Sequence, residues 1–168
     1  MARLLIVHHS PTSSLRRLTD AVVAGARDPQ VQAAGDGVEV VVRSALEATA
    51  RDVLDADGYL LGTSANFGYM SGALKHFFDS TFLQVGGALD PSGGAGDNSG
   101  GTTQKRPYGL YVHGRYDTTG AVRSVQSIVQ ALGWREAYDV LEVLGDVTED
   151  HTASAYELGA TLAALLAS

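Results

Sequence analysis

Apolar positions in this chain alternate between short unbroken runs and longer stretches with helical spacing. Leu4-Leu5-Ile6-Val7 is unbroken, as expected of a strand covered on both faces. Pro11-Thr12-Ser13-Ser14 then offers hydroxyl N-caps, and Leu15, Leu18 and Val22 recur at the spacing of a helix. A polar turn around Gly35–Gly37 leads to a second β-branched run, Val38-Glu39-Val40-Val41-Val42. A modest helix is expected over Glu47–Leu54, and a third buried strand over Gly58–Gly62. Met70, Leu74, Phe77 and Phe78 then mark one face of another helix. From about residue 81 to 105 the pattern lapses, and seven of the chain's 20 glycines fall there. It resumes with a fourth strand at Tyr108–Val112 and a helix carrying Val122, Val125, Val129 and Leu132. A fifth strand at Tyr138–Leu144 and a closing helix with Ala155, Leu158, Leu162, Leu165 and Leu166 complete the chain.

Strands that alternate with helices, without hairpin signals between them, imply right-handed crossovers and a parallel sheet. Five such units suit an α/β three-layer sandwich whose five-stranded parallel sheet has the order 2-1-3-4-5. Residues 1–168 are expected to form a single domain with a Gly-rich irregular insertion at about 81–105. In that order ligands bind beyond the carboxyl ends of strands 1, 3 and 4, beside the switch point.

Composition narrows the function. The 168 residues carry 12 Lys+Arg against 19 Asp+Glu, a formal charge of −7, which is the opposite of the basic footprint of a nucleic-acid binder. The absence of cysteine removes disulfides, Cys-based metal sites and thiol nucleophiles together. The apolar run at Leu4–Val7 reaches His8-His9 too soon for a signal peptide or a membrane span, so a cytoplasmic protein without membrane insertion is expected.

Three loops should line one crevice. The first, His9-Ser10-Pro11-Thr12-Ser13-Ser14, is rich in hydroxyls at a helix start: either an anion cradle or an ordinary N-cap with spare serines. It matches neither the P-loop nor the dinucleotide glycine pattern. The second runs from Gly62 to Gly72 and mixes small residues with Phe67 and Tyr69. Such a loop can approach a flat ring through its backbone, or its Phe67 and Met70 can simply staple a helix entry. The third, His113 to Gly120, holds Arg115, which either faces an anionic ring or pairs with an acid at the surface, and Tyr116, which could stack.

The stretch Gly62-Thr63-Ser64-Ala65-Asn66-Phe67-Gly68-Tyr69-Met70-Ser71-Gly72-Ala73-Leu74-Lys75-His76-Phe77-Phe78-Asp79 resembles the signature of flavodoxin-like NAD(P)H-dependent FMN reductases and NAD(P)H:quinone reductases. That pattern reads G-T-P-x-x-[FY]-G-x-M-x-G-x-[ML]-K-x-F-[FL]-D, and only its proline departs, replaced by Ser64. The resemblance implies a flavodoxin-like fold and one FMN per chain. The phosphate would lie on Ser10, Thr12, Ser13 and Ser14. The ring would lie against Thr63, Ser64, Ala65, Asn66, Phe67, Gly68, Tyr69 and Met70, and against His113, Gly114, Arg115 and Asp117. Arg115 and Tyr116 are the residues expected to act on the ring, Arg115 by stabilising its anionic reduced form. NADH or NADPH would be the co-substrate, a quinone or similar small molecule the electron acceptor, and a homodimer the assembly.

Two other functions fit the same fold: a one-electron carrier flavodoxin, and an interaction module that has lost FMN. Weaker signals carry less. His8 and His9 are adjacent on a strand and point to opposite faces, so they do not share a metal ion. Gly93–Asn98 is a single imperfect copy of a calcium-binding repeat and cannot stack. Lys75 and His76 face solvent or a subunit contact, and Phe77, Phe78 and Phe82 are core by default or a partner surface. The stretch from Gly86 to Gly101 is expected to be either disordered or a mobile lid, a substrate-facing loop near the crevice.

Overall fold

The unbroken apolar runs become strands buried on both faces, and alternate residues serve different helical layers. The computed structural model describes residues 1–168 as β1 (Ala2–His8), α1 (Ser13–Ala26), α2 (Pro29–Gln32), β2 (Val38–Ser44), α3 (Ala50–Leu54), β3 (Gly58–Asn66), β4 (Tyr69–Met70), α4 (Gly72–Thr81), β5 (Pro107–Gly114), α5 (Thr119–Ala131), β6 (Arg135–Glu136), β7 (Leu141–Leu144) and α6 (Glu149–Ala167). Leu4 and Ile6 of β1 join Leu15, Leu18 and Val22 of α1 and Leu158 and Leu162 of α6 in one core. Leu5 and Val7 join Leu74, Phe77 and Phe78 of α4 and Val125 and Val129 of α5 in the other. Each fully buried side chain of this size contributes about 2 kcal/mol relative to exposure, so the two-sided β1 anchors both layers. Phe77 and Phe78 are each 1% exposed and therefore belong to the core, not to a partner surface. No helix is long and apolar enough to cross a membrane.

The sheet runs β2-β1-β3-β5-β6, with β4 paired to β3 and β7 paired to β5. It departs from five strands in the order 2-1-3-4-5 in two ways. The chain after β3 turns back as a two-residue antiparallel strand, β4, so the fourth long strand is β5. The last strand is also split: β6 pairs with β5 at Pro107 and Tyr108, β7 pairs with it from Tyr111 to Gly114, and residues 137–140 bulge out between them. Met70, expected on the face of this helix, lies in β4 instead; the helix starts at Gly72, with Ser71 as the N-cap that accepts a hydrogen bond from the Leu74 amide at 3.2 Å. The registers His8 opposite Gly62 and Ser64 opposite His113 bring the carboxyl ends of β1, β3 and β5 to one edge.

The Gly-rich segment lies at the other edge. It follows α4, which runs back against the strands, and precedes the first residue of β5. Thr103 is fully buried, donates to the Val85 carbonyl at 2.6 Å and accepts from Trp134 Nε1 at 2.9 Å. Trp134 in turn stacks on Tyr59, with ring centroids 3.9 Å apart. The Asn98 amide reaches the carbonyl of Ala131 at the end of α5, and the Lys105 amide donates to the Gly133 carbonyl at 2.7 Å. The segment is a fastened loop at the strand starts, which overturns its expected role as a lid over the crevice.

Candidate functional site

The loops after β1, β3 and β5 enclose a cleft of about 780 Å3. Its floor and walls are Thr12 and Ser14 from α1's start, the run Ser64 to Gly68, and the run His113 to Asp117. All twelve of these residues are among those singled out from the sequence. Five others of that set lie elsewhere, each for a local reason. Ser13 is exposed and its side chain is not part of the cleft lining. Thr63 is fully buried, accepting from the Ser71 amide at 2.9 Å and donating to the Ser64 carbonyl, so it holds the loop from beneath. Met70 is 2% exposed and packs in the α4–α5 core. Tyr69 lines a neighbouring hollow with Lys75 and Arg123. Ser10 turns away toward His8 and Thr19.

The wall after β3 is a tight hairpin. Asn66 pairs with Tyr69, and the two residues between, Phe67 and Gly68, have φ of 51° and 77°. Positive φ at both central positions is the type I′ arrangement, which glycine and asparagine adopt readily and phenylalanine does not. The strain at Phe67 holds its ring clear of the protein, 108% exposed, at the lip of the cleft. Tyr116, 94% exposed, stands on the opposite lip. Gly120 makes the hairpin possible, because a Cβ there would lie 2.0 Å from the Gly68 carbonyl oxygen. Nothing in the sequence marks Gly120 as part of this wall, and Phe67-Gly68 is not one of the Asn-Gly or Asp-Gly pairs that announce a tight hairpin.

Polar groups converge between the lips. The first intrahelical bond of α1 runs from the Arg16 amide to the Thr12 carbonyl at 2.9 Å, so the amides of Ser13 and Ser14 precede it and stay free to meet an anion. Thr12 Oγ1 accepts from the Leu15 amide at 3.2 Å, and Ser14 faces the cleft. His113 donates from Nε2 to the Gly145 carbonyl at 2.7 Å, which leaves Nδ1 without a protein partner. Asp117 Oδ1 accepts from the Thr119 amide at 2.9 Å, and that bond holds its carboxyl below the usual carboxylate range. Arg115 pairs with Asp146 at 2.6 Å across the rim, so of its two sequence readings the surface pair with an acid is the one formed. Both partners are exposed, so the pair fixes orientation more than it adds stability. One buried group remains unsatisfied: Ser64 Oγ has no hydrogen-bond partner. A buried hydroxyl without a partner costs about 1–3 kcal/mol, and here it borders the cleft.

The fold is flavodoxin-like. A flavodoxin from the domain Archaea superposes with a TM-score of 0.75 over 98% of both chains at 16% identity. No protein-family model matches the sequence. Over 90 residues the chain is 32% identical to the flavodoxin of Aquifex aeolicus, covering 54% of this chain and 45% of that protein. Over 99 residues it is 32% identical to an NAD(P)H dehydrogenase (quinone) of Archaeoglobus fulgidus, covering 48% of this chain and 52% of that one. The chain thus matches about half the length of these curated relatives. The flavodoxin-like sheet places its switch-point crevice where the twelve residues meet.

Proposed function

We propose that the cleft binds FMN and that the protein is an FMN-dependent oxidoreductase using NAD(P)H and a quinone or similar small acceptor. The observation that carries this reading is the buried, unpartnered Ser64 hydroxyl in a cleft that also offers free helix-start amides and two exposed rings. Such a donor set suits a ligand with an anionic group at one end and a flat heterocycle at the other. Thr12, Ser14 and the amides at the start of α1 would hold the phosphate without a cation, by helix dipole and hydrogen bonds. Phe67 and Tyr116 would flank the ring, while Ser64, Asn66 and His113 supply polar contacts at its edges. The chemistry supplied by bound FMN is hydride acceptance from NAD(P)H and two-electron delivery to the acceptor. Arg115, already balanced by Asp146, would steady negative charge at the rim only weakly.

The likeness to the Aquifex flavodoxin favours a second reading, a one-electron carrier. Anaerobic mixing of the FMN-loaded protein with NADH or NADPH separates the two. Bleaching of the flavin absorbance, followed by reoxidation with a quinone, supports the reductase. Flavin that binds but is bleached by neither nucleotide supports the carrier.

A further inference from the structure

A second cleft, of about 520 Å3, lies on the opposite side of α1, between that helix and the edge strand β2. His8 and Ser10 from the end of β1 lie at its floor, and it shares none of its lining residues with the first cleft. A chain of hydrogen bonds leads inward from it. His8 Nδ1 lies 2.8 Å from Ser10 Oγ, Ser10 Oγ lies 2.7 Å from Thr19 Oγ1, and Thr19 Oγ1 lies 2.8 Å from the Tyr111 hydroxyl.

The inner end of that chain fixes the direction of its first two links. Tyr111 is fully buried and Thr19 is its only hydroxyl partner. If the protons pointed inward, the Tyr111 O–H would have nothing to donate to, and buried donors are not left orphaned when an alternative exists. Tyr111 therefore donates to Thr19 and Thr19 to Ser10; Ser10, only part-buried, has an acceptor site to spare, and its donation to His8 Nδ1 belongs to the inference that the tautomer measurement tests. A His8 ring that accepts at Nδ1 carries its proton on Nε2. Nε2 has no partner in the protein, so a neutral imidazole presents an N–H donor to the cleft. Burial, with His9 nearby and against the pull of Asp20, holds the His8 pKa below its ordinary value, in keeping with that neutral form.

The walls state what the donor is for. Arg16 and Arg27 stand near the two ends of the same helical face, each with one bond to a backbone carbonyl, to Pro11 at 3.1 Å and to Val40 at 3.4 Å. Neither forms an ion pair with a carboxylate, unlike Arg3, Arg17, Arg43, Arg51 and Arg115. A guanidinium has five N–H donors, so most remain free. With Asp20 the only acid in the lining, the cleft carries a net positive charge near one, which matches a monoanion better than a doubly charged phosphate. Val23, Ala24 and Val42 supply an apolar wall between the arginines. We infer that this cleft is a second binding site, for a carboxylate borne on a small apolar body, read by His8 Nε2–H and the Arg16 guanidinium at one end, with Arg27 about 16 Å along the helix adding positive charge at the other.

Two NMR measurements on the intact protein test this, and neither depends on whether flavin binds. Long-range proton–nitrogen correlation of the His8 ring, assigned by loss of the signal in His8→Gln, is expected to show the Nε2–H tautomer at neutral pH. The Nδ1–H tautomer would overturn the inference. Titration with benzoate is expected to shift the His8 ring signals saturably, and more tightly than inorganic phosphate does. The Arg16→Gln/Arg27→Gln double variant is expected to weaken benzoate by about tenfold or more. Unmoved His8 signals, phosphate bound as tightly as benzoate, or a benzoate shift that survives the double variant would each refute it.

Discussion

Two glycine-bearing regions of this chain use the same residue type for opposite purposes. Around the cleft, Gly68 takes a positive φ and Gly120 leaves room for its carbonyl oxygen, so the hairpin bends tightly and Phe67 projects into solvent. Across the sheet, in residues 82–106, glycines bring backbone down onto backbone. A Cβ on Gly101 would lie 2.9 Å from the Gly86 carbonyl oxygen, and Thr103 and Trp134 bolt the loop to the core. The first region leaves aromatic rings exposed and a buried hydroxyl unpartnered, whereas the second ties its buried polar groups to the core. Glycine content alone does not mark a mobile or functional loop. What distinguishes the two is whether the buried polar groups near the glycines have partners.

The sharpest way to break the contrast is Gly120→Val. The added carbons would displace the hairpin, and overpacking of that kind costs about 2 kcal/mol, or about thirtyfold in FMN affinity. Fluorescence titration checks this, and an unchanged affinity would mean the hairpin is not a wall of the site. The counterpart is Thr103→Val. It strands the Trp134 N–H and the Val85 carbonyl and is expected to lower unfolding free energy by about 1–3 kcal/mol in denaturant, with FMN affinity intact. Phe67→Asn replaces a strained residue with one that tolerates a positive φ. Thermal stability should rise slightly while flavin affinity falls by about tenfold, from the loss of an aromatic contact of about 1 kcal/mol and its buried area. The smallest effect is expected for Arg115→Ala. With Asp146 already balancing the charge, the flavin midpoint potential should fall by about 20 mV or less, the equivalent of a surface ion pair.

Much of the fold was legible because β1, β3 and β5 are apolar runs buried on both faces. The site was legible because a parallel sheet delivers the loops after those strands to one edge. Other features left no apolar trace. Arg135 and Glu136 of β6 are exposed and polar, and β4 is only two residues long, so periodicity missed both. Ser10 lies in a hydroxyl-rich loop that suggests phosphate, yet its direction depends on His8 and Thr19, one at the end of β1 and one in the second turn of α1. The side of the sheet on which the Gly-rich loop lies was present in the topology, since a segment between a helix and the next parallel strand sits at the strand starts. Its composition pointed the other way and misled.

The most direct measurement is titration of FMN into the apoprotein, followed by flavin fluorescence, in parallel for the natural sequence, Gly120→Val and Thr103→Val. Saturable one-to-one quenching by the natural sequence, sharply weakened in Gly120→Val and unaltered in Thr103→Val, is the predicted result. No uptake by the natural sequence, or equal weakening in both variants, would contradict the assignment of the flavin site to the hairpin edge.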